Sequence, residues 1–241
     1  MANLILPDPR MEMPELLEPG RKPIGPVSID RDHWAGKYCR YAFIPVNTFA
    51  DVIHGPLSIK NGTPSVSAGV ATFDADVVEY DSPFPVYSAI TILIKLRRTN
   101  VAHHMGIFSD KNKTEWGSDV GVSLNLRAES SGALFKIGTS ETVTTDTSVP
   151  IGDWFTLAAV SQPGEFNKIY INGTAATVNA NQSWSDYSQA STNVRIGTYF
   201  DEATNFCFDG DIEYIYLFES GFSADKIQAL HRSPYQFLIP A

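Results

Sequence analysis

The sequence predicts an all-β chain of antiparallel strands, and three observations carry that expectation. Beyond Trp34, short apolar or alternating runs are broken repeatedly by Gly, Asn, Asp and Pro. The dipeptide Asn172-Gly173 separates Lys168-Ile169-Tyr170-Ile171 from Thr174-Ala175-Ala176-Thr177-Val178, and Asn-Gly favours the φ > 0 conformations of a tight hairpin. Helical periodicity is confined to one segment, 224–231. Strands joined by turns, with no helices between them, pair antiparallel.

The chain opens on an arm. Pro7, Pro9, Pro14, Pro19, Pro23 and Pro26 crowd its first residues, and prolines at that density block both helix and interior strand, so residues 1–34 read as extended. Leu4, Ile5, Leu6, Met11, Met13, Leu16 and Leu17 give it more apolar side chain than a solvated linker needs, which predicts docking. The clearest strands are 89–96, 104–108, 120–126, 154–160, 168–171, 194–196 and 208–218, with weaker ones at 41–46, 70–73 and 133–137. They place the sandwich at 35–220. In the remainder, 221–241, Ser223 reads as the N-cap of the helix, Asp225 and His231 suit its dipole, and an apolar tail follows.

Composition excludes several function classes. The 18 basic and 27 acidic side chains leave a formal charge of −9, which repels phosphate backbones and anionic lipid. Nucleic acid is therefore not expected as a ligand. The longest apolar runs, such as 89–94, fall far short of the roughly 20 residues a membrane span requires. Membrane insertion is not expected either. Cys39 and Cys207 fit no CxxC or zinc spacing, and the opening residues show no basic and apolar signal-peptide regions, so sequons such as Asn172-Gly173-Thr174 read as turns.

The last third carries a resemblance. Gly152-Asp153-Trp154, then Ile169-Tyr170-Ile171-Asn172-Gly173, Arg195-Ile196-Gly197, Phe208-Asp209-Gly210-Asp211-Ile212-Glu213-Tyr214-Ile215 and Phe222-Ser223-Ala224-Asp225-Lys226-Ile227 resemble, in order and spacing, the laminin-G-like, concanavalin A-like jelly-roll β-sandwich. Each landmark has a structural reading: Trp154 as buried area between sheets, Asn172-Gly173 as a turn, Gly197 and Gly210 as close backbone approaches. A Pro-rich leader containing Lys22-Pro23-Ile24-Gly25-Pro26-Val27 and a terminus Pro234-Tyr235-Gln236-Phe237 followed by Pro240 are similar to those of tailed-phage structural proteins. That likeness implies a non-enzymatic virion protein for host attachment. Its partners would be other virion subunits bound through the arm and tail, in a homo-oligomer, with host-surface glycans as a further ligand.

Three chemistries have candidate residues in the chain. The family includes glucanases with a Glu-x-Asp-x-(x)-Glu strand, and Asp209, Asp211 and Glu213 alternate comparably, but the first position is Asp and the strand matches a closing strand. No catalytic residues are therefore assigned. The resemblance also raises calcium, for which Asp201, Glu202 and Asn205, or Asp74, Asp76, Glu79 and Asp81, offer oxygen ligands; neither set follows an EF-hand, and no metal is assigned. His103-His104 point to opposite faces of a strand and cannot share one metal. Carbohydrate is the remaining chemistry. Trp184 and Tyr187 in one polar loop, and Trp116 in another, are the candidates for stacking on pyranose faces; the competing role is a loop tryptophan folded back as a lid.

Overall fold

Described in the computed structural model are residues 8–100, 104–111, 114, 118–128, 132–144, 149–179, 183–199 and 206–241. Two antiparallel sheets face one another. One has seven strands, ordered Ser140–Val143, Ala133–Ile137, Val122–Leu126, Met105–Ser109, Arg195–Ile196, Val77–Glu79 and Ser58–Asn61. The larger one has ten, with Phe155–Ser161, Ile90–Arg98, Asp209–Phe218 and Cys39–Phe43 side by side at its centre. Alternation along these strands sets the core. Ile90, Ile92, Ile94 and Leu96 point inward and meet Val122, Leu124, Leu126 and Phe135 of the opposite sheet, all fully buried.

The hairpin forms as expected, with Asn172 and Gly173 at φ 51° and 75°. Gly197 and Gly210 also stand where the backbone comes close, since a Cβ would lie 2.3 Å from the Asp76 carbonyl oxygen and 2.2 Å from that of Arg97. Trp154 departs from expectation. Phe155, Leu157 and Ala159 take the inward positions of their strand, so Trp154, one residue earlier, faces out of the sandwich and lies half-buried between Lys95 and Arg97.

The arm is not fully extended. Pro9–Glu12 and Pro14–Leu17 form two 3₁₀ turns, each with proline at a first position where the missing N–H costs nothing. Asp8 caps the first by accepting the Arg10 N–H at 2.9 Å. Further on, Val27–Ile29 pairs antiparallel with Leu238–Pro240, joining arm and tail in a ribbon. Both lie on the chain's own larger sheet. Leu16, Tyr235, Phe237 and Leu238, with Ile227 and Leu230 of the Ala224–Arg232 helix, cover Leu93, Tyr214, Tyr216 and Phe218 on its outer face. Of the arm's apolar side chains among the described residues, Leu16 is buried and Met13 half-buried on this face, while Met11 and Leu17 stay exposed. Ser223 begins the helix with extended backbone, but its hydroxyl makes no capping bond, so the N-cap expectation holds for position and fails for chemistry.

Candidate functional site

The hairpin linking Phe155–Ser161 to Lys168–Ile171 projects beside the segment 183–187, and Asn167 fixes the two together. Its buried carboxamide accepts from the Ser161 hydroxyl at 2.5 Å and donates to Ser140 Oγ at 3.0 Å and to the Ser183 carbonyl at 3.4 Å. With Asn167 anchored inward, its neighbour Phe166 is turned out. Phe166 is 59% exposed, a large apolar surface to leave in water, and its backbone bridges to Ser183. Trp184 lines one groove with it.

Trp184 is half-buried and rests on the edge of the core, with its ring 5.9 Å from that of Tyr187. The indole N–H donates to Asp186 Oδ1 at 3.2 Å, which fixes the ring in place. Together Phe166, Trp184, Ser183, Pro163 and Gly164 line a groove of about 650 Å³, within the range of small-ligand sites. At its rim Lys168 binds Glu165 and holds that carboxyl below its usual range, so the pair leaves the groove without net charge. An aromatic wall, a rim without net charge and a fixed floor can bind a sugar ring by stacking.

The other predicted residues fall elsewhere. Tyr187 lies beneath Trp184, 6% exposed; its hydroxyl accepts the Tyr87 N–H at 3.0 Å and donates to the Pro85 carbonyl at 3.4 Å, and burial pushes its pKa up. It supports the groove from below. Trp116, His103, Asp201, Glu202 and Asn205 lie outside the described residues. Phe166 was missed because a single aromatic in a turn has no period, although an aromatic directly after Pro163-Gly164-Glu165 in a polar hairpin was a usable signal.

The three strand carboxylates do not share an open cleft. Asp209 accepts the Ala75 N–H at 2.9 Å and the Asn100 amide at 2.9 Å. Asp211 takes Arg97 Nε at 2.9 Å and the Thr72 hydroxyl at 2.8 Å, while Glu213, at an irregularity in the register, pairs with Lys95 at 2.7 Å and accepts the Tyr235 hydroxyl at 2.6 Å. Of the calcium candidates, Asp76 accepts the backbone N–H groups of Thr63 and Asp74, and Glu79 pairs with Arg195. Among the described residues no cluster of three or more metal-ligating side chains is present.

The laminin G family model described as "Concanavalin A-like lectin/glucanases superfamily" matches residues 71–228. No curated protein matches the chain. Among solved structures, domain 4 of AbnA, a GH43 extracellular arabinanase from Geobacillus stearothermophilus in complex with arabinotriose, superposes with a TM-score of 0.64 at 14% identity, over 80% of this chain and 99% of that one. Trypanosoma rangeli sialidase gives 0.61 at 9% identity over 82% of this chain, which spans only 33% of the enzyme. The Ruminococcus gnavus IT-sialidase CBM40 bound to α2,3 sialyllactose gives 0.50 at 17% identity, over 61% of this chain and 83% of that one. At such identities these likenesses speak for the fold.

Proposed function

The chain belongs to the concanavalin A-like lectin/glucanases superfamily, and on that premise we propose that it is a non-enzymatic carbohydrate-binding module whose glycan lies across the Phe166–Trp184 groove. The observation that carries this reading is the exposed Phe166 ring held in one groove with Trp184 by the buried Asn167. Exposed aromatics over a fixed floor stack on the apolar faces of sugars with little ordering cost. Two structural neighbours were solved with saccharides, which supports the ligand class. The compensated Glu165–Lys168 rim favours neutral glycans.

Binding on a glycan array is expected, with Phe166→Ala and Trp184→Ala each weakening it about tenfold, the equivalent of roughly 1.4 kcal/mol. Phe166 is exposed, so its variant tests binding without a cost in packing. A silent array, or full binding by both variants, sinks the proposal. The non-enzymatic part rests on Asp209, Asp211 and Glu213 being engaged with Asn100, Arg97 and Lys95; release of reducing sugar from a bound glycan would count against it.

A second reading has its own support. Met11, Leu17 and Ile24 on the arm are 63%, 47% and 79% exposed, an apolar edge that suits an attachment module held in a larger particle such as a phage virion, or in a homo-oligomer. Light scattering of the intact protein should then report a multimer that Ile24→Asp dissociates. A monomeric parent protein would leave this edge without a partner of its own kind.

A further inference from the structure

The outer face of the larger sheet is divided in character. One part carries Tyr214, Tyr216 and Phe218 and lies under arm, helix and tail. The other carries a row that crosses neighbouring strands, Trp154, Arg97, Asp211 and Thr72, with Arg97 opposite Asp211 and Asp211 opposite Thr72 in the strand register. This part remains open to solvent, since Thr72 is exposed and the Arg97 side chain is 41% exposed.

Within the row each group has a definite state. Asp211 is almost wholly buried and accepts from Arg97 Nε, Arg97 Nη2 and the Thr72 hydroxyl, so its task is to hold the guanidinium plane. Arg97 lies 5.3 Å from the centre of the Trp154 ring, and its Nη1 has no hydrogen-bond partner among the described residues. Lys95 lies 5.9 Å from the same ring, 30% exposed, with one ion pair to Glu213 and N–H donors to spare. Lys22 of the arm reaches the same neighbourhood and donates to the Gly69 and Glu213 carbonyls. Lys22, Lys95 and Arg97 against Asp211 and Glu213 make a local excess of positive charge on a chain whose net charge is −9.

That excess acts on its neighbours. Burial first, and then Lys95 and Arg232, hold His231 below its usual range. For Lys22, burial outweighs the pull of Glu213, and with the repulsion of Lys95 it brings the pKa down to about 8. An anion placed here would relieve a repulsion already present. The row runs across the strands and presents no unpaired backbone edge, so a peptide would find no main-chain partners, whereas a ring with hydroxyls and a carboxylate needs only the side chains.

We propose that the Trp154–Arg97–Lys95 patch is a second saccharide site, separate from the Phe166–Trp184 groove and selective for acidic sugars. Its carboxylate takes Arg97 Nη1 and Lys95 Nζ, and the pyranose ring lies against the part of the Trp154 indole that these two cations leave uncovered. Asp211 is a positioning residue for Arg97.

Calorimetry with tetragalacturonate tests the assignment. Binding by the intact protein is expected, weakening as salt is raised. Trp154→Ala should reduce it about tenfold, Arg97→Lys, which keeps the charge and loses the fork, should reduce it severalfold, and Trp184→Ala should leave it unchanged. Trp154 lies outside both cores, so its variant folds if the sandwich does. Absence of binding, unchanged binding by Trp154→Ala, or equal binding of neutral galactotetraose or of polyglutamate would each overturn the proposal. Because Trp184→Ala reports on the groove alone, failure of one site is distinguishable from failure of the other.

Discussion

Replacing Asp51 by alanine is expected to cost about 4 kcal/mol of folding stability, read as a lower denaturant midpoint at unchanged slope. Asp51 is 2% exposed and its carboxylate makes no ion pair among the described residues. Instead it is held by four donors. Oδ2 accepts the Ala42 N–H at 2.6 Å and the Tyr80 hydroxyl at 2.9 Å, while Oδ1 accepts the N–H groups of Ile53 and His54 at 2.8 and 2.9 Å. Alanine strands the buried donors above all, since Ala42 is fully buried and Tyr80 3% exposed, so that water cannot replace their lost acceptor without opening the core, whereas the His54 N–H belongs to an exposed residue. Asp51→Asn keeps one acceptor oxygen and should cost about half as much. A midpoint for Asp51→Ala equal to that of the parent chain would refute this account of the corner.

Gly106→Ala is the second large effect, expected at about 3 kcal/mol or more, or roughly 6–12 °C in melting temperature for a domain of this size. The strand Met105–Ser109 passes directly under the 198–199 backbone. An added Cβ would sit 2.0 Å from the Tyr199 nitrogen and 2.1 Å from the Thr198 carbonyl carbon. These are main-chain atoms tied down by the Gly197 N–H on the Ile107 carbonyl at 3.0 Å and by Ser109 Oγ on the Tyr199 carbonyl at 3.1 Å, so they cannot swing aside. A melting temperature unchanged in Gly106→Ala would mean that this crossing segment lifts at no cost.

The strands that were legible in the sequence are those that bury one face or both, such as Lys168–Ile171 and Ala133–Ile137, whose bounds match the sequence reading. Ser58–Asn61 was not legible, since every one of its residues is exposed and no apolar alternation marks it. Trp154 shows a different failure. Its size suggested the core, yet the inward series Phe155, Leu157, Ala159 already assigned it to the opposite face. For the arm, composition revealed an excess of apolar surface but not which surface would receive it, because the receiving residues, Tyr214 and Phe218, lie two hundred positions away in sequence. Of the groove, Trp184 was visible as a tryptophan in a polar loop, whereas Asn167 gave no sign that its amide would turn Phe166 outward.

The pairing of Val27–Ile29 with Leu238–Pro240 imposes an order on biosynthesis. Residues made first cannot take their final place until residues 238–240 have left the ribosome, however early the sandwich between them has folded. Throughout that interval the ring faces of Tyr216 and Phe218 have no Phe237 against them, and the nascent chain carries an apolar patch on its larger sheet. A stalled or prematurely terminated message would thus yield a species prone to coalesce, even though nearly every strand in it is complete.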